Sequence, residues 1–261
     1  MTRPPVLVTN DDGIGSEGLW HLAAVAAQAG FDVVVAAPAG EASGTGTAIH
    51  ATQAGGRIEV QRHELPAPAA GLPAFAVPAT PAFMVFAALR GAFGPVPRYV
   101  LSGINRGLNL GHAVLHSGTV GAAMAAANHG LTSVAFSLGV GADGTGREWL
   151  TAADVAKQVL PVLAETPAGA VLNVNVPNLP PGELRGIRSA RLASFGVVQT
   201  VLDRVDGYLP VSMGQTPYAP DPGSDSAALA AGYASVSVLR PLLELPTGDL
   251  PWEVYQAPRP S

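Results

Sequence analysis

Asn10, Asp11, Asp12 and Gly13 follow directly on the apolar run Val6-Leu7-Val8. Two adjacent carboxylates at the end of a buried strand repel each other when both are ionised, and burial raises that cost. A hard divalent cation removes the conflict, because such ions prefer carboxylate oxygen. The chemistry suggested is metal-assisted handling of an anion. The competing reading is a plain turn, since Asn, Asp and Gly are ordinary turn formers, and the four residues alone leave both open. Residues 39–47 add small polar side chains and three glycines. They form either a loop whose hydroxyls and N–H groups face a ligand or a flexible linker, and composition favours the linker. Residues 102–111 are dense in Ser, Asn, Arg and Gly. Ser117, Gly118 and Thr119 stand at a helix start, where free N–H groups can hold a phosphate. Simple N-capping by Ser117 or Thr119 is the commoner use of such residues.

The elements that must position these groups alternate. Val6 to Val8 reads as a buried strand. Ser16 can cap the helix that follows, and Leu19, Leu22, Ala23 and Ala26 give it one apolar face. Residues 32–37 form a second buried strand, residues 57–62 a half-exposed one and residues 74–77 a short one. Pro81 opens a helix that runs to about Arg90, with Phe83 and Phe86 on a face read as core. Strands at 98–101, 133–138 and 170–176 alternate with helices at 122–128 and from about Thr151, the last kinked or split by Pro161. This order predicts an α/β fold with a doubly wound, mostly parallel sheet. The last third differs. Residues 186–195 and 201–211 read as hairpin arms, 217–224 as a loop, 225–231 as a brief helix and 233–239 as an alternating strand. This divides the chain into a catalytic core, 1–185, and a β-rich antiparallel extension, 186–261, suited to subunit contacts.

Composition narrows the function. Charged residues are 13% of the chain, mean hydropathy is +0.30 and net charge is −5, with no basic stripe. Nucleic-acid binding through phosphate neutralisation is disfavoured. With no cysteine there is no disulfide, thiol nucleophile or Cys-ligated zinc. No apolar stretch is long enough to span a bilayer and no signal peptide is recognisable, so the expected setting is cytoplasmic. The six histidines lack metal-site spacing. His112 and His116 are four apart, but Gly111 and Ser117-Gly118 argue against a helix between them. There is no P-loop and no Gly-x-Gly-x-x-Gly after the first strand.

In a doubly wound sheet the loops at 10–13, 43–47 and 102–119 can converge at one sheet edge. That would unite Asp11, Asp12, Ser43 and Asn105 with a helix N-terminus, an oxygen-rich set suited to Mg²⁺ or Mn²⁺ with a phosphate.

Taken together, Asn10-Asp11-Asp12-Gly13, Ser43-Gly44, Ser102-Gly103-Ile104-Asn105 with Gly107 and Asn109-Leu110-Gly111, Ser117-Gly118-Thr119-Val120-Gly121, and Asn173-Val174-Asn175-Val176-Pro177 resemble the SurE family. The resemblance covers nearly the whole chain. It implies a Rossmann-like core and metal-dependent hydrolysis of nucleoside 5′- or 3′-monophosphates, with some members also cleaving short polyphosphate. It implies one Mg²⁺ or Mn²⁺ per subunit on Asp11, Asp12, Ser43 and Asn105, with Asp11 and Asp12 the catalytic carboxylates, each a candidate ligand, base or nucleophile. Asn10, Gly44, Asn109, Ser117, Gly118 and Thr119 are the expected phosphate and substrate contacts. It further implies a homodimer or homotetramer that exchanges C-terminal elements, acting on a small phosphate ester with neither nucleic acid nor membrane as partner. Three positions depart from the family pattern. Phe83 stands where an acid is usual, and Ala113 and His116 replace an Asp and a Tyr. All three are expected near the mouth of the site. They keep open a phosphatase for a non-nucleotide metabolite and a non-catalytic metal- or nucleotide-binding scaffold. Residues 139–147 and 217–224 are the expected leaving-group loops.

Overall fold

The computed structural model describes residues 3–141, 147–194, 198–202, 211–215 and 220–242. Of the loops expected to choose the leaving group, 142–146 and 217–219 lie outside the described residues, as do 203–210 of the expected hairpin arm. Strand β1 (Pro5–Thr9) is followed by α1 (Glu17–Gln28), β2 (Asp32–Pro38), β3 (Gln61–Arg62), β4 (Ala74–Val77) and α2 (Pro81–Ala88). Then come β5 (Tyr99–Arg106), α3 (Gly118–Asn128), β6 (Thr132–Leu138), α4 (Trp149–Val159) and β7 (Val171–Val176). The C-terminal part supplies β8 (Ile187–Ser189), β9 (Val198–Leu202), β10 (Val211–Gln215), α5 (Asp225–Ala230) and β11 (Ala234–Leu239).

Nine strands form one sheet in the order β3-β4-β2-β1-β5-β6-β7-β11-β8. From β4 to β7 every pairing is parallel. After β1 the chain winds outward through β2 and β4, then crosses back to lay β5 on the other side of β1. The strand order therefore reverses between β1 and β5, and the crevice at their carboxyl ends is where such sheets take ligands. Side-chain alternation serves both faces. Val6 and Val8 pack with Leu19, Leu22 and Val155 of α1 and α4. Leu7 and Val100 pack with Met84, Val85 and Ala122 of α2 and α3.

Local detail departs from the sequence reading in several places. Of residues 57–62 only Gln61 and Arg62 join the sheet, antiparallel to β4, while Arg57 bridges locally to Ala54 and Val60 stays exposed. α2 ends at Ala88, and it buries Met84, Val85 and Ala88 while Phe83 and Phe86 remain half-exposed, their rings 6.2 Å apart. Ser16 takes the N-cap position, but its hydroxyl makes no cap bond. Residues 111–116 form a short 3-10 helix rather than irregular loop. Pro161 divides its helix as expected: α4 stops at Val159 and a 3-10 turn, Leu160–Ala164, takes over.

The C-terminal strands are not uniformly antiparallel. β11 runs antiparallel to β7, but β8 pairs parallel to β11, and both extend the main sheet. β9 and β10 form a separate antiparallel pair. Among the described residues no helix is long and apolar enough to cross a membrane.

Candidate functional site

Asp11 is placed by β1, whose end delivers it to the crevice with 4% of its surface exposed. The Thr119 hydroxyl, at the start of α3, donates a short hydrogen bond to Asp11 Oδ1. Burial pushes the Asp11 carboxyl above its ordinary range; the Thr119 hydroxyl pulls it down and the charge of Asp12 pushes it up again. The Thr119 main-chain N–H also favours ionised Asp11. The positive end of α3 is thus directed at a carboxylate of the protein itself. The fit is close. A Cβ on Gly118 would stand 2.8 Å from Asp11 Cβ, and one on Gly121 would stand 1.9 Å from the Gly46 carbonyl oxygen. Glycine at these two positions lets α3 approach both β1 and the 43–47 loop.

Asp12 accepts the Arg106 main-chain N–H at 3.0 Å, and the Arg106 Nε lies 3.8 Å from its other oxygen. Burial raises its carboxyl, the Arg106 N–H and guanidinium lower it, and Glu41 raises it. Arg106 can do this because β5 does not stop at Leu101. It continues through residues 102–106, read above as loop, with a register shift against β6 between Ser102 and Asn105. That irregularity brings Asn105 to the crevice. Asn105 Nδ2 donates to the Gly107 carbonyl at 2.8 Å, which leaves Oδ1 without a partner among the described residues. Ser43, exposed, donates to Glu41 at 3.0 Å.

These groups surround an open cleft of about 600 Å³. Asp11, Asp12, Ser43, Gly44, Asn105, Asn109 and Ser117 all line it. Three expected contacts do not. Asn10 is fully buried and donates to the Gly13 carbonyl at 2.9 Å, so its amide serves the turn. Gly118 and Thr119 are buried beneath Asp11. Ser117 lines the cleft, but its hydroxyl also accepts the Val120 N–H at 3.1 Å, the capping role weighed above. Sequence reasoning left Arg106 and Glu41 unassigned although both sit in loops it singled out. The signal available was charge beside the two aspartates.

The donor set fits a hard cation. Two desolvated carboxylates and an unpartnered amide oxygen meet at one opening. Among the described residues no three His, Cys, Asp or Glu side chains are placed to hold a metal ion together. A cation here would therefore be held partly by neutral oxygens, as Mg²⁺ and Mn²⁺ tolerate and zinc does not favour.

The family model described as Survival protein SurE matches residues 6–197. The chain belongs to the SurE family. It is 35% identical over 242 residues to a 5′-nucleotidase SurE of Hyphomonas neptunium, covering 90% of this chain and 92% of that protein. It is 36% identical over 248 residues to a 5′/3′-nucleotidase SurE of Edwardsiella ictaluri, covering 90% and 89%. The crystal structure of the SurE protein from Aquifex aeolicus superposes with a TM-score of 0.75 at 29% identity, over 92% of this chain and 95% of that one.

Against the SurE pattern, the three departures separate in space. Ala113 and His116 line the cleft. Phe83 is not among the lining residues and instead meets Phe86 on α2. The expectation that all three sit at the mouth is corrected for Phe83, which α2 turns toward its own aromatic neighbour.

Proposed function

We propose that this SurE protein is a divalent-metal-dependent phosphomonoesterase that releases phosphate from nucleoside 5′- or 3′-monophosphates. The curated relatives named 5′-nucleotidase and 5′/3′-nucleotidase SurE support hydrolysis of nucleotides. The observation that carries the metal requirement is the pair Asp11 and Asp12, both raised by burial and both facing one cleft. Asp11, Asp12, Ser43 and Asn105 would hold Mg²⁺ or Mn²⁺, which when bound would neutralise charge on the transferring phosphoryl group.

The remaining work belongs to the chain. Thr119 fixes the Asp11 carboxylate and Arg106 fixes Asp12 at both oxygens. Attack on phosphorus by either Asp12 oxygen would give up an Arg106 contact, and attack by Asp11 Oδ1 would give up the Thr119 hydroxyl, so a water is the nucleophile this arrangement favours. The Arg106 side chain is 53% exposed at the cleft. Its outward N–H groups can meet an anionic substrate oxygen. Ser117 and Asn109 also line the cleft as polar contacts.

A second reading rests on Ala113 and His116 in the cleft lining. A small residue and an imidazole there suit a leaving group other than a nucleoside. The test is phosphate release with Mn²⁺ from nucleoside 5′- and 3′-monophosphates, sugar phosphates, short polyphosphate and an aryl phosphate. Preference for nucleotides is the expected result. Release confined to sugar or aryl phosphates would establish the second reading, and no release from folded protein would leave a binding scaffold.

A further inference from the structure

The polar groups on β7 have no role in the account so far. Asn173 and Asn175 are fully buried, on the sheet's α3 side. Asn175 treats one residue of the cleft as a neighbouring strand would. Its Oδ1 accepts the Asn109 main-chain N–H at 2.8 Å, and its Nδ2 donates to the Asn109 carbonyl at 2.9 Å. Asn173 Nδ2 donates to the same carbonyl at 2.9 Å. The Asn109 amide is held in turn, donating to Ser137 Oγ at 2.7 Å. Two residues on, the Gly111 N–H donates at 2.8 Å to Asp225, which is fully buried at the start of α5. Asp225 also accepts from Ala193 at 3.0 Å and Ser226 at 2.8 Å.

Segment 109–111 carries Asn109 into the cleft and leads to Ala113, His116 and Ser117. It belongs to no strand, and the side-chain bonds that fix its main chain come from residues 64 to 114 positions away. We infer that Asn175 and Asp225 are positioning residues for the cleft: they clamp the main chain of Asn109 and Gly111, so β7 and the start of α5 set the geometry of the segment that shares the cleft with Asp11 and Asp12. The inference rests on the phosphatase reading only for what that segment handles. The clamp itself is independent of the reaction.

A dedicated clamp is more than packing requires. An apolar segment over β7 would bury as well without exposing Asn173 Oδ1, Ser235 Oγ and Ser237 Oγ to the penalty of lacking partners. A carboxamide that pairs both ways with one peptide fixes its position along the sheet as well as its distance from it. Displacements of about 1 Å in a site can lower rates by about 100-fold.

The test uses the full chain with Asn175→Ala and, because that change can unfold the protein, Asp225→Asn, which keeps the shape of the side chain. Val155→Ala, a core cavity under α4 on the other face of the sheet from the clamp, is the stability control. Hydrogen exchange of the 107–116 segment, Mn²⁺ affinity, inorganic phosphate affinity in the presence of Mn²⁺, and kcat and KM are measured. The expected result is faster exchange confined to 107–116, phosphate affinity and kcat each lowered at least about 10-fold, and Mn²⁺ affinity within about 2-fold of wild type. Val155→Ala should lower Tm with phosphate affinity and kcat unchanged. Unchanged exchange at 107–116, or phosphate affinity falling only in step with Tm as in the control, overturns the inference. If wild type releases no phosphate from any ester, the functional reading fails, while exchange and phosphate binding still decide the clamp.

Discussion

Two buried aspartates divide the molecule. Asp225 lies under the C-terminal strands and accepts three main-chain N–H groups, from Gly111, Ala193 and Ser226. Asp11, nearly as buried, has a like-charged neighbour and the first turn of α3. Both sit in the same sheet's company, and the protein has solved the burial of one charge and left the other in conflict. Burial without sufficient partners is costly to stability. It persists where function uses it. On the proposed reading the switch point between β1 and β5 carries the chemistry, and β7 with the start of α5 carries the geometry.

The comparison is broken most severely at its functional end. Asp11→Asn should lower turnover by roughly 1,000-fold or more, the scale seen when a charge-stabilising group is removed. Its circular dichroism should stay native. Near-normal turnover would show that the conflict at Asp11 serves nothing. Asp225→Ala inverts the pattern. It strands three N–H donors and should remove about 3 kcal/mol of stability by denaturant titration, whereas Asp11→Asn should remove none.

The sign of the pH dependence sharpens the contrast further. Asp11 and Asp12 both have folded-state carboxyls raised by burial. The folded state then holds their protons more tightly than the unfolded state. Their contribution to stability is fully present below about pH 4, the ordinary carboxyl value, and is lost as pH rises through the raised folded values. In EDTA, the Tm of wild type relative to Asp12→Asn should fall between pH 4 and 7, and Mn²⁺ should restore it at pH 7. A difference that stays constant with pH would remove the argument from burial. A smaller effect follows from Thr119, whose hydroxyl lowers the Asp11 carboxyl. Thr119→Val should move the acid limb of the kcat profile to higher pH and lower kcat about 10-fold.

What could be read without the structure followed locality. The Asn10 to Gly13 cluster was legible because β1 and its polar end are adjacent in the chain, and so was the alternation of strands and helices through β7. Asn105 could be named, but its means of presentation could not, because the register shift in β5 depends on pairing with β6. Asp11 and Thr119 meet across 108 positions, and Asn173 meets Asn109 across 64. Residue types show that such groups can bond and do not show which will. Asn10 lies behind the cleft lining with Nδ2 in the turn and Oδ1 unpartnered, and an amide that completes a turn has the same sequence signature as one that faces a ligand. β8 was misjudged because its direction depends on β11, some 45 residues later.

The central claim is that the conflict between Asp11 and Asp12 is a cation site, and calorimetric titration with Mn²⁺ tests it directly. Wild type and Asp225→Asn should each bind one Mn²⁺ per chain, and Asp12→Asn should bind at least about 10-fold more weakly. Wild type that binds no Mn²⁺ or Mg²⁺, or Asp12→Asn that binds as tightly as wild type, would contradict the account.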